Sequence, residues 1–484
     1  MKNKPPVLAD QALDPSSQIP PHQLPASNHR YDSSTSALLA RWVTEDLTNR
    51  IPGDVGEKMK LSILDGLGCV IAGMNTQLTE IVLTGRLKHS GQAGPILLPG
   101  RQLSCGLLDA TYIAGQAANA LDFDDCYRGK ASSHPGATIV APALLVAHAR
   151  DCHGHELLQA VTKGYEVSLR VGQAVDATAQ RKERVTGYST WQVFGAVASA
   201  AALMRLDVGQ IVNALGLAGS QAPVPNVRKL VELPFSWLKN GYGISAEVGV
   251  LSALLAESGL RGPAEIFDGD SGFWIMCGSD RYDCELAREE LGIKWLSREI
   301  EYKPYACCQW THTMLDCISD LRHEVPLERI EHLEIRGFVE LAVTLNADLP
   351  DNIIDAQFNA RYLAALAYLG RSPANGLSTS DLGADDVAAF AQKISLVHDP
   401  LLDIPYHARE AMPVQVTVTD ISGRRFVRAL QDPAISMTPE QIKQKFQRLC
   451  APILGAAKTQ RLLEAVLNIE KHSAREIVNL TMPE

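Results

Sequence analysis

The sequence predicts a mainly α fold: an all-helical domain built from both chain ends, with a smaller α+β domain inserted between them. Three observations predict it. Runs with apolar residues at helical spacing, several crowded with Ala and Gly, fill the chain up to about Glu299. Strict alternation of apolar and polar residues then takes over, as in "RIEHLEIRGFVELAV". Helical spacing returns from Pro439. The expected divisions are a tail over 1–36, a first helical part over 37–298, the α+β part over 299–435 and a closing helical part over 436–484.

The tail is rich in Pro and Ser and has no apolar core segment. It is expected to be disordered and is not expected to serve as a secretory leader. Order is expected from Ala37, with "ALLARWVTEDLTNRI" as the first helix. "PGDVGE" then punctuates, and Asp54 followed three residues later by Glu57 suggests a capping box opening "GEKMKLSILDGLGCVIAGM". Further helices are expected over Ala110–Leu121, His155–Val175, Phe194–Leu206 and Ala246–Ser258. The small residues of "FGAVASAAALM" and "AEVGVLSALLA" predict helices in close approach. In the α+β part, Leu333, Ile335, Gly337 and Val339 fall on the inner side of one half-buried strand. "PVQVTVTDISGRRFVRALQ" reads as a hairpin about Asp420–Gly423, and "ARYLAALAYLG" as a helix between the strands. "PEQIKQKFQRLCAPIL" and "TQRLLEAVLNIEKH" are the helices that close the first domain.

Composition excludes several functions. A chain of 484 residues exceeds one ordinary core, and its formal charge of −10 argues against a general nucleic-acid binder. The 10 cysteines form no CxxC pair, and Cys307 and Cys308 are adjacent, a poor geometry for a disulfide. Reduced thiols and a cytoplasmic location are expected. No apolar run is long enough to span a membrane. Without an HExxH or close His pair, and with His153 and His155 isolated, no metal site is expected. There is no GxGxxG after a strand and no P-loop, so no nucleotide cofactor is expected, and "GYSTWQ" lacks the glycines of a hydrolase nucleophile elbow.

Three clusters carry chemistry. In "LDFDDCYRGKASSHPG", Asp122, Asp124 and Asp125 can accept a proton or orient a base. Arg128 and Lys130 can neutralise a carboxylate, and His134 brings an imidazole, the side-chain type suited to proton transfer near neutral pH. The bland reading is a solvated loop between two helices. In "LPFSWLKNGYGISAEVG", Lys239 sits among apolar residues, as a fixed cation or as a lysine that snorkels at a helix start. In "EYKPYACCQWTH", Lys303, Tyr305, Cys308 and His312 stand close together. Cys308 or His312 is a catalytic candidate, against the usual packed Cys and satisfied His.

In this order the clusters resemble the MmgE/PrpD family, which includes 2-methylcitrate dehydratase, cis-aconitate decarboxylase and iminodisuccinate epimerase. The resemblance runs from about Ala37 to the C-terminus. "ALDFDD…HPG" carries it most specifically, followed by "FGAVASAAALMRL", "WLKNGYG…GVLSALLAESGLRGP" and "YKPYACCQWTH". It implies a homodimer without metal or organic cofactor, whose site lies between the helical domain and an α+β lid. By motif, Asp122, His134 and Lys239 match family active-site positions. His312 matches a lid histidine and Tyr362, in "AQFNARYLAAL", the lid tyrosine. Ser189 stands where the family often has a histidine, Cys126 stands for a frequent threonine, and the loop from Cys126 to His134 is about two residues longer than in decarboxylase-like members.

What the resemblance implies is a cofactor-independent lyase, a dehydratase or decarboxylase, acting on a small di- or tricarboxylate through a carbanion or enediolate. Catalysis would fall to Asp122, His134, Lys239, His312 and Tyr362. Arg128, Lys130, Ser189, Lys303 and Cys308 would bind substrate. In that scheme His134 is oriented by Asp122. The alternatives are an epimerase or isomerase of a related acid, and a non-catalytic binding protein that keeps the pocket, for which Ser189 speaks. A metal-dependent hydrolase is a third class.

Overall fold

The computed structural model describes residues 33–90, 94–130, 132–182, 184–187, 189–227, 230, 232–433 and 437–484. The expected tail lies outside the described residues as far as residue 32, and helix begins at Thr35, two residues earlier than expected. Ser34 caps it by accepting a hydrogen bond from the Ala37 amide at 3.2 Å. This helix stops at Thr44 and does not run on to Ile51. Asp46 takes the Thr48 amide and hydroxyl into a local turn, which competes with helix.

The next helix, Gly53–Gly73, starts on Pro52, and the expected capping box does not form. Asp54 lies within the first turn and pairs instead with Arg298 at 2.7 Å. The remaining long helices of the first part are Gln77–Ser90, Leu107–Ala118, Pro135–Ala149, Gly154–Ala174, Val193–Leu203, Val208–Gln221 and Tyr242–Glu257. Their small residues do the expected work. A Cβ added at Gly164 would stand 2.9 Å from the Gly195 carbonyl oxygen, so the helices carrying these glycines cross with backbone against backbone. The closing helix Pro439–Leu454 packs on Gly53–Gly73, which joins the chain ends.

The alternating segments form one four-stranded sheet from β1 (Ile330–Gly337), β2 (Ile394–His398), β3 (Val414–Asp420) and β4 (Arg425–Leu430), in the order β2-β1-β3-β4. β1 and β2 are parallel, connected through the helices Ala360–Tyr368 and Asp385–Ala391, and the other pairs are antiparallel. The hairpin turns where expected, with the Gly423 amide donating to the Asp420 carbonyl. Leu333, Ile335 and Gly337 face inward, but Val339 is not on the strand. Its amide donates to Asp403 at 2.8 Å, and a π-helical turn over Glu340–Thr344 follows.

Buried apolar side chains gather in two large clusters. One draws on residues from Leu39 to Tyr302 and again from Ile442 to Val478. The other draws on Cys307 to Val418, joined by Leu78, Ala120 and Phe235. The stretch between them positions the site. Cys126 and Glu301 exchange both backbone hydrogen bonds, at 2.9 and 2.8 Å, so the segment entering the sheet-bearing part runs beside the aspartate loop. All 10 cysteines are unbridged, Cys307 and Cys308 among them. Among the described residues no single helix is long and apolar enough to cross a membrane.

Candidate active site

Helix Leu107–Ala118 ends at Asn119, and the chain then turns sharply. Asp122 has φ 52°, a left-handed conformation that Asp tolerates better than most residues. The turn drops three carboxylates, Asp122, Asp124 and Asp125, into the protein interior, all of them buried. The loop ends at His134, which caps helix Pro135–Ala149. Its aspartate-bearing part is therefore not solvated, while Lys130 is exposed.

Asp122 is held by two ammonium groups. Lys239 Nζ donates to its Oδ1 at 3.2 Å and Lys303 Nζ to its Oδ2 at 3.0 Å. Lys239 also donates to the Asn119 carbonyl at 2.5 Å and to Gln357 Oε1 at 2.9 Å, which uses all its donors. Lys303 has a second bond to the Asp122 carbonyl at 3.1 Å; among the described residues its third donor has no partner. Lys239 takes a left-handed backbone, φ 53°, just before the helix Tyr242–Glu257. A long side chain in that conformation costs on the order of 1 kcal/mol, so the fold tolerates strain to place this ammonium.

Burial opposes ionisation of Asp122. Lys239, Lys303 and His134 outweigh it and hold the carboxyl far below the usual range. Lys303 is likewise held charged against burial by Asp122 and Asp124. Burial lowers Lys239, with Asp122 and Asp124 opposing. Asp125 behaves in the other way: burial, with Asp65 near, pushes its carboxyl up to about 8.

His134 is oriented differently from the expectation. Its Nδ1 lies 2.9 Å from the Asp125 carbonyl oxygen and 3.4 Å from Asp124 Oδ2, not against Asp122, whose oxygens belong to the lysines. Two acceptors facing Nδ1 place the proton there and leave the lone pair on Nε2. Asp124 is fixed by the Asn119 amide at 2.7 Å, and Asp125 by the Tyr165 hydroxyl at 2.6 Å and the Gly136 amide at 2.9 Å. Tyr242 packs against the imidazole, ring centroids 5.9 Å apart. Ser189 is buried nearby: its carbonyl accepts from Ser245 at 2.7 Å, and its hydroxyl faces Gly241.

The other expected residues divide. Cys308 is buried beside Asp122 and Lys303; burial, then Asp122, holds its thiol protonated. His312 is fully buried, its Nε2 3.2 Å from the Cys307 carbonyl, and burial with Lys303 brings it down to about 3. It is a neutral ring at any ordinary pH. Arg128 is committed to Glu301, at 2.8 and 3.0 Å, and to Asp432 at 2.7 Å. Lys130 is exposed. The Tyr362 hydroxyl has Asp381 and Arg371 as its charged neighbours; burial raises it to about 12. The structure thus gathers Asp122, His134, Lys239, Lys303 and Cys308, and places Lys130 and Tyr362 outside that cluster.

Sequence reasoning passed over Asn119, Gln357 and Lys445. Gln357 ties Lys239 to the Ala120 carbonyl, to which its amide donates at 2.8 Å. Lys445 donates to the Phe123 carbonyl at 2.5 Å and the Lys303 carbonyl at 3.2 Å, and pairs with Asp65 at 2.7 Å. A signal existed: Lys445 shares its helix face with Ile442, Phe446 and Cys450, a charge within an apolar stripe.

The chain is also similar to known proteins along most of its length. Residues 37–284 match the MmgE/PrpD N-terminal domain and residues 305–471 the MmgE/PrpD C-terminal domain. The chain is 26% identical over 473 residues to a cis-aconitate decarboxylase-like protein, oryM, of Aspergillus oryzae, covering 91% of this chain and 95% of that one. It is 24% identical over 472 residues to the cis-aconitate decarboxylase of Aspergillus terreus, covering 91% and 94%. It is 22% identical over 460 residues to that of Homo sapiens, covering 90% and 93%.

Proposed function

The chain belongs to the MmgE/PrpD family, and we propose that it is a cofactor-independent lyase that dehydrates or decarboxylates a tricarboxylate-like acid through a carbanion. The observation that carries this reading is the pair of buried ammonium groups on one carboxylate, with a spare Lys303 donor, beside an imidazole whose Nε2 is free. Substrate carboxylate takes the spare donor. Charge that develops on the neighbouring carbon meets cations already in place, in a site with little water.

In dehydration, His134 Nε2 removes the proton beside the carboxylate, the electron pair forms the double bond, and hydroxide leaves with a proton returned to it. In decarboxylation, carbon dioxide departs and leaves its electron pair on carbon, and a ring that starts as the imidazolium donates its proton there. Dehydration therefore starts from the neutral ring and decarboxylation from the charged one, and the Asp124 carboxylate and the Asp125 carbonyl facing Nδ1 can hold either form in place. Of the residues expected from sequence to bind substrate, Arg128, Lys130, Ser189, Lys303 and Cys308, this reading gives the carboxylate contact to Lys303, because Arg128 is committed to Glu301 and Asp432 and Lys130 is exposed. The reading carries with it a homodimer, for which sedimentation is the check.

Proton NMR in D2O with citrate-, aconitate- and succinate-like acids tests the proposal. Turnover that vanishes in His134→Ala supports it, and the product separates dehydration from decarboxylation. Exchange without a new product points to an epimerase. Saturable binding with neither exchange nor turnover overturns it in favour of a binding protein.

A further inference from the structure

Helix Pro400–His407 closes on a tight turn in "IPYHAREA". The Arg409 amide donates to the Tyr406 carbonyl at 3.0 Å and the Glu410 amide to the Pro405 carbonyl at 2.9 Å, the paired bonds of a Schellman end. Such an end needs a left-handed residue just past the cap, a place that usually falls to glycine. Here Arg409 takes it, with φ 60°. A residue with a Cβ is strained there, so the turn by itself does not account for an arginine.

The side chain does. Arg409 belongs to the sheet-bearing part and reaches into the helical part. Its Nη1 donates to the Gly129 carbonyl at 3.2 Å and to Ser132 Oγ at 2.9 Å, and its Nη2 to Asp176 at 3.4 Å. Gly129 and Ser132 lie in the loop that leads from the aspartates to His134. Tyr127 and Ser133 close this loop by exchanging both backbone hydrogen bonds, at 2.9 and 3.2 Å, and His134 is the next residue. The imidazole thus hangs from the end of the loop, while the Asp124 and Asp125 groups that face its Nδ1 stand before its start. A second arm crosses in the opposite direction. Arg128, from the loop, donates to Asp432 Oδ1 at 2.7 Å, the oxygen that also takes the Met412 amide at 3.1 Å. The loop and the segment Arg409–Met412 hold each other through both arginines.

We infer that Arg409 is a positioning residue for His134: from across the boundary between the two parts, it pins the loop that carries the imidazole. The inference rests on the lyase reading, in which His134 moves the proton. Arg409 acts through Gly129 and Ser132 and is assigned no contact with substrate.

Arg409→Gly tests it, because glycine keeps the left-handed turn and removes the guanidinium arm. Turnover is measured on whichever of the citrate-, aconitate- and succinate-like acids the wild type converts, beside the rate of trypsin cleavage after Lys130 in the same loop. The expected result is kcat down by about 10–100-fold with KM within about twofold. Cleavage is expected to be about 10-fold faster, as proteolysis follows the population of the opened loop. Millimolar ethylguanidinium, a free copy of the missing side chain, is expected to restore kcat and slow cleavage, which it would not do for a general loss of structure. Arg409→Asn, whose backbone also accepts the left-handed region, takes the place of the glycine variant should that fail to fold. Wild-type kcat in the variant overturns the inference whatever the cleavage rate or KM. A fall in kcat with cleavage unchanged, or without rescue, overturns it too. If the wild type converts none of the acids, the lyase reading falls and takes the role toward His134 with it.

Discussion

Lys303 Nζ lies 3.0 Å from Asp122 Oδ2, across 181 positions of sequence, while Lys239 holds the other oxygen of the same carboxylate at 3.2 Å. Three charged groups share one buried spot, and each is tolerable only because the others are there. The arrangement fixes where positive charge stands before any substrate arrives, which is the condition for stabilising a carbanion without reorganisation.

Asp122→Asn removes the anion between the two ammonium groups. The expected loss is about 3–5 kcal/mol of stability at pH 7, with turnover down by roughly 100-fold or more. The pH dependence has a definite sign. The folded-state carboxyl is held far below its unfolded value near 4, so its contribution is complete above about pH 4 and fades as pH falls further. Denaturant unfolding at pH 7 and pH 3 checks this: the difference between wild type and variant narrows at the lower pH.

Asp125→Asn moves in the opposite sense. Burial and Asp65 raise the folded carboxyl to about 8, so the folded protein keeps a proton that the unfolded chain releases near pH 4. Stability from this group therefore falls as pH rises from about 4 to 8, at up to about 1.4 kcal/mol per pH unit. Asn keeps the neutral shape. Unfolding curves at pH 5 and pH 8 are expected to show the variant gaining on wild type at the higher pH, and a constant difference would contradict the assignment.

These two aspartates show what the sequence could and could not disclose. That "LDFDD" mattered was legible, because its carboxylates and His134 crowd one loop between apolar helices. Which carboxylate serves which partner was not, since the lysines that claim Asp122 arrive from distant segments and free His134 for Asp124 and Asp125. The strand ending at Gly337 shows the same limit. Alternation continues to Val339, but Asp403, on another turn, takes the amide that a ladder would need. The helices were legible to within a few residues where small and apolar residues recur at helical spacing. The Asp54 cap does not form because the helix begins one residue earlier, on Pro52, which puts Asp54 inside the first turn, where it pairs with Arg298.

Asp124→Asn tests how the imidazole is held. The carboxylate faces Nδ1 at 3.4 Å and is itself fixed by Asn119. An amide there presents a donor to a nitrogen that must also donate, so the ring loses its set tautomer. The expected outcome is kcat down by about 10–100-fold with KM changed little. A rise in KM at constant kcat would show that Asp124 shapes binding instead.

Lys445 joins the C-terminal helix to both halves of the clamp, through the Phe123 carbonyl between Asp122 and Asp124 and through the carbonyl of Lys303. Lys445→Met leaves Asp65 buried without its partner, at a cost of about 3–5 kcal/mol. Burial already raises the Asp65 carboxyl against the pull of Lys445, so in the variant it takes up a proton more readily. Adding Asp65→Leu removes the stranded acid, and the double variant is expected to return to within about 1–2 kcal/mol of wild type. Neither change restores a donor to the two carbonyls. If those bonds set the distance between Asp122 and Lys303, kcat of the double variant stays about 10-fold low while its stability recovers. Recovery of both together would mean that Lys445 acts on the fold alone, and that the clamp is placed by its own three charges.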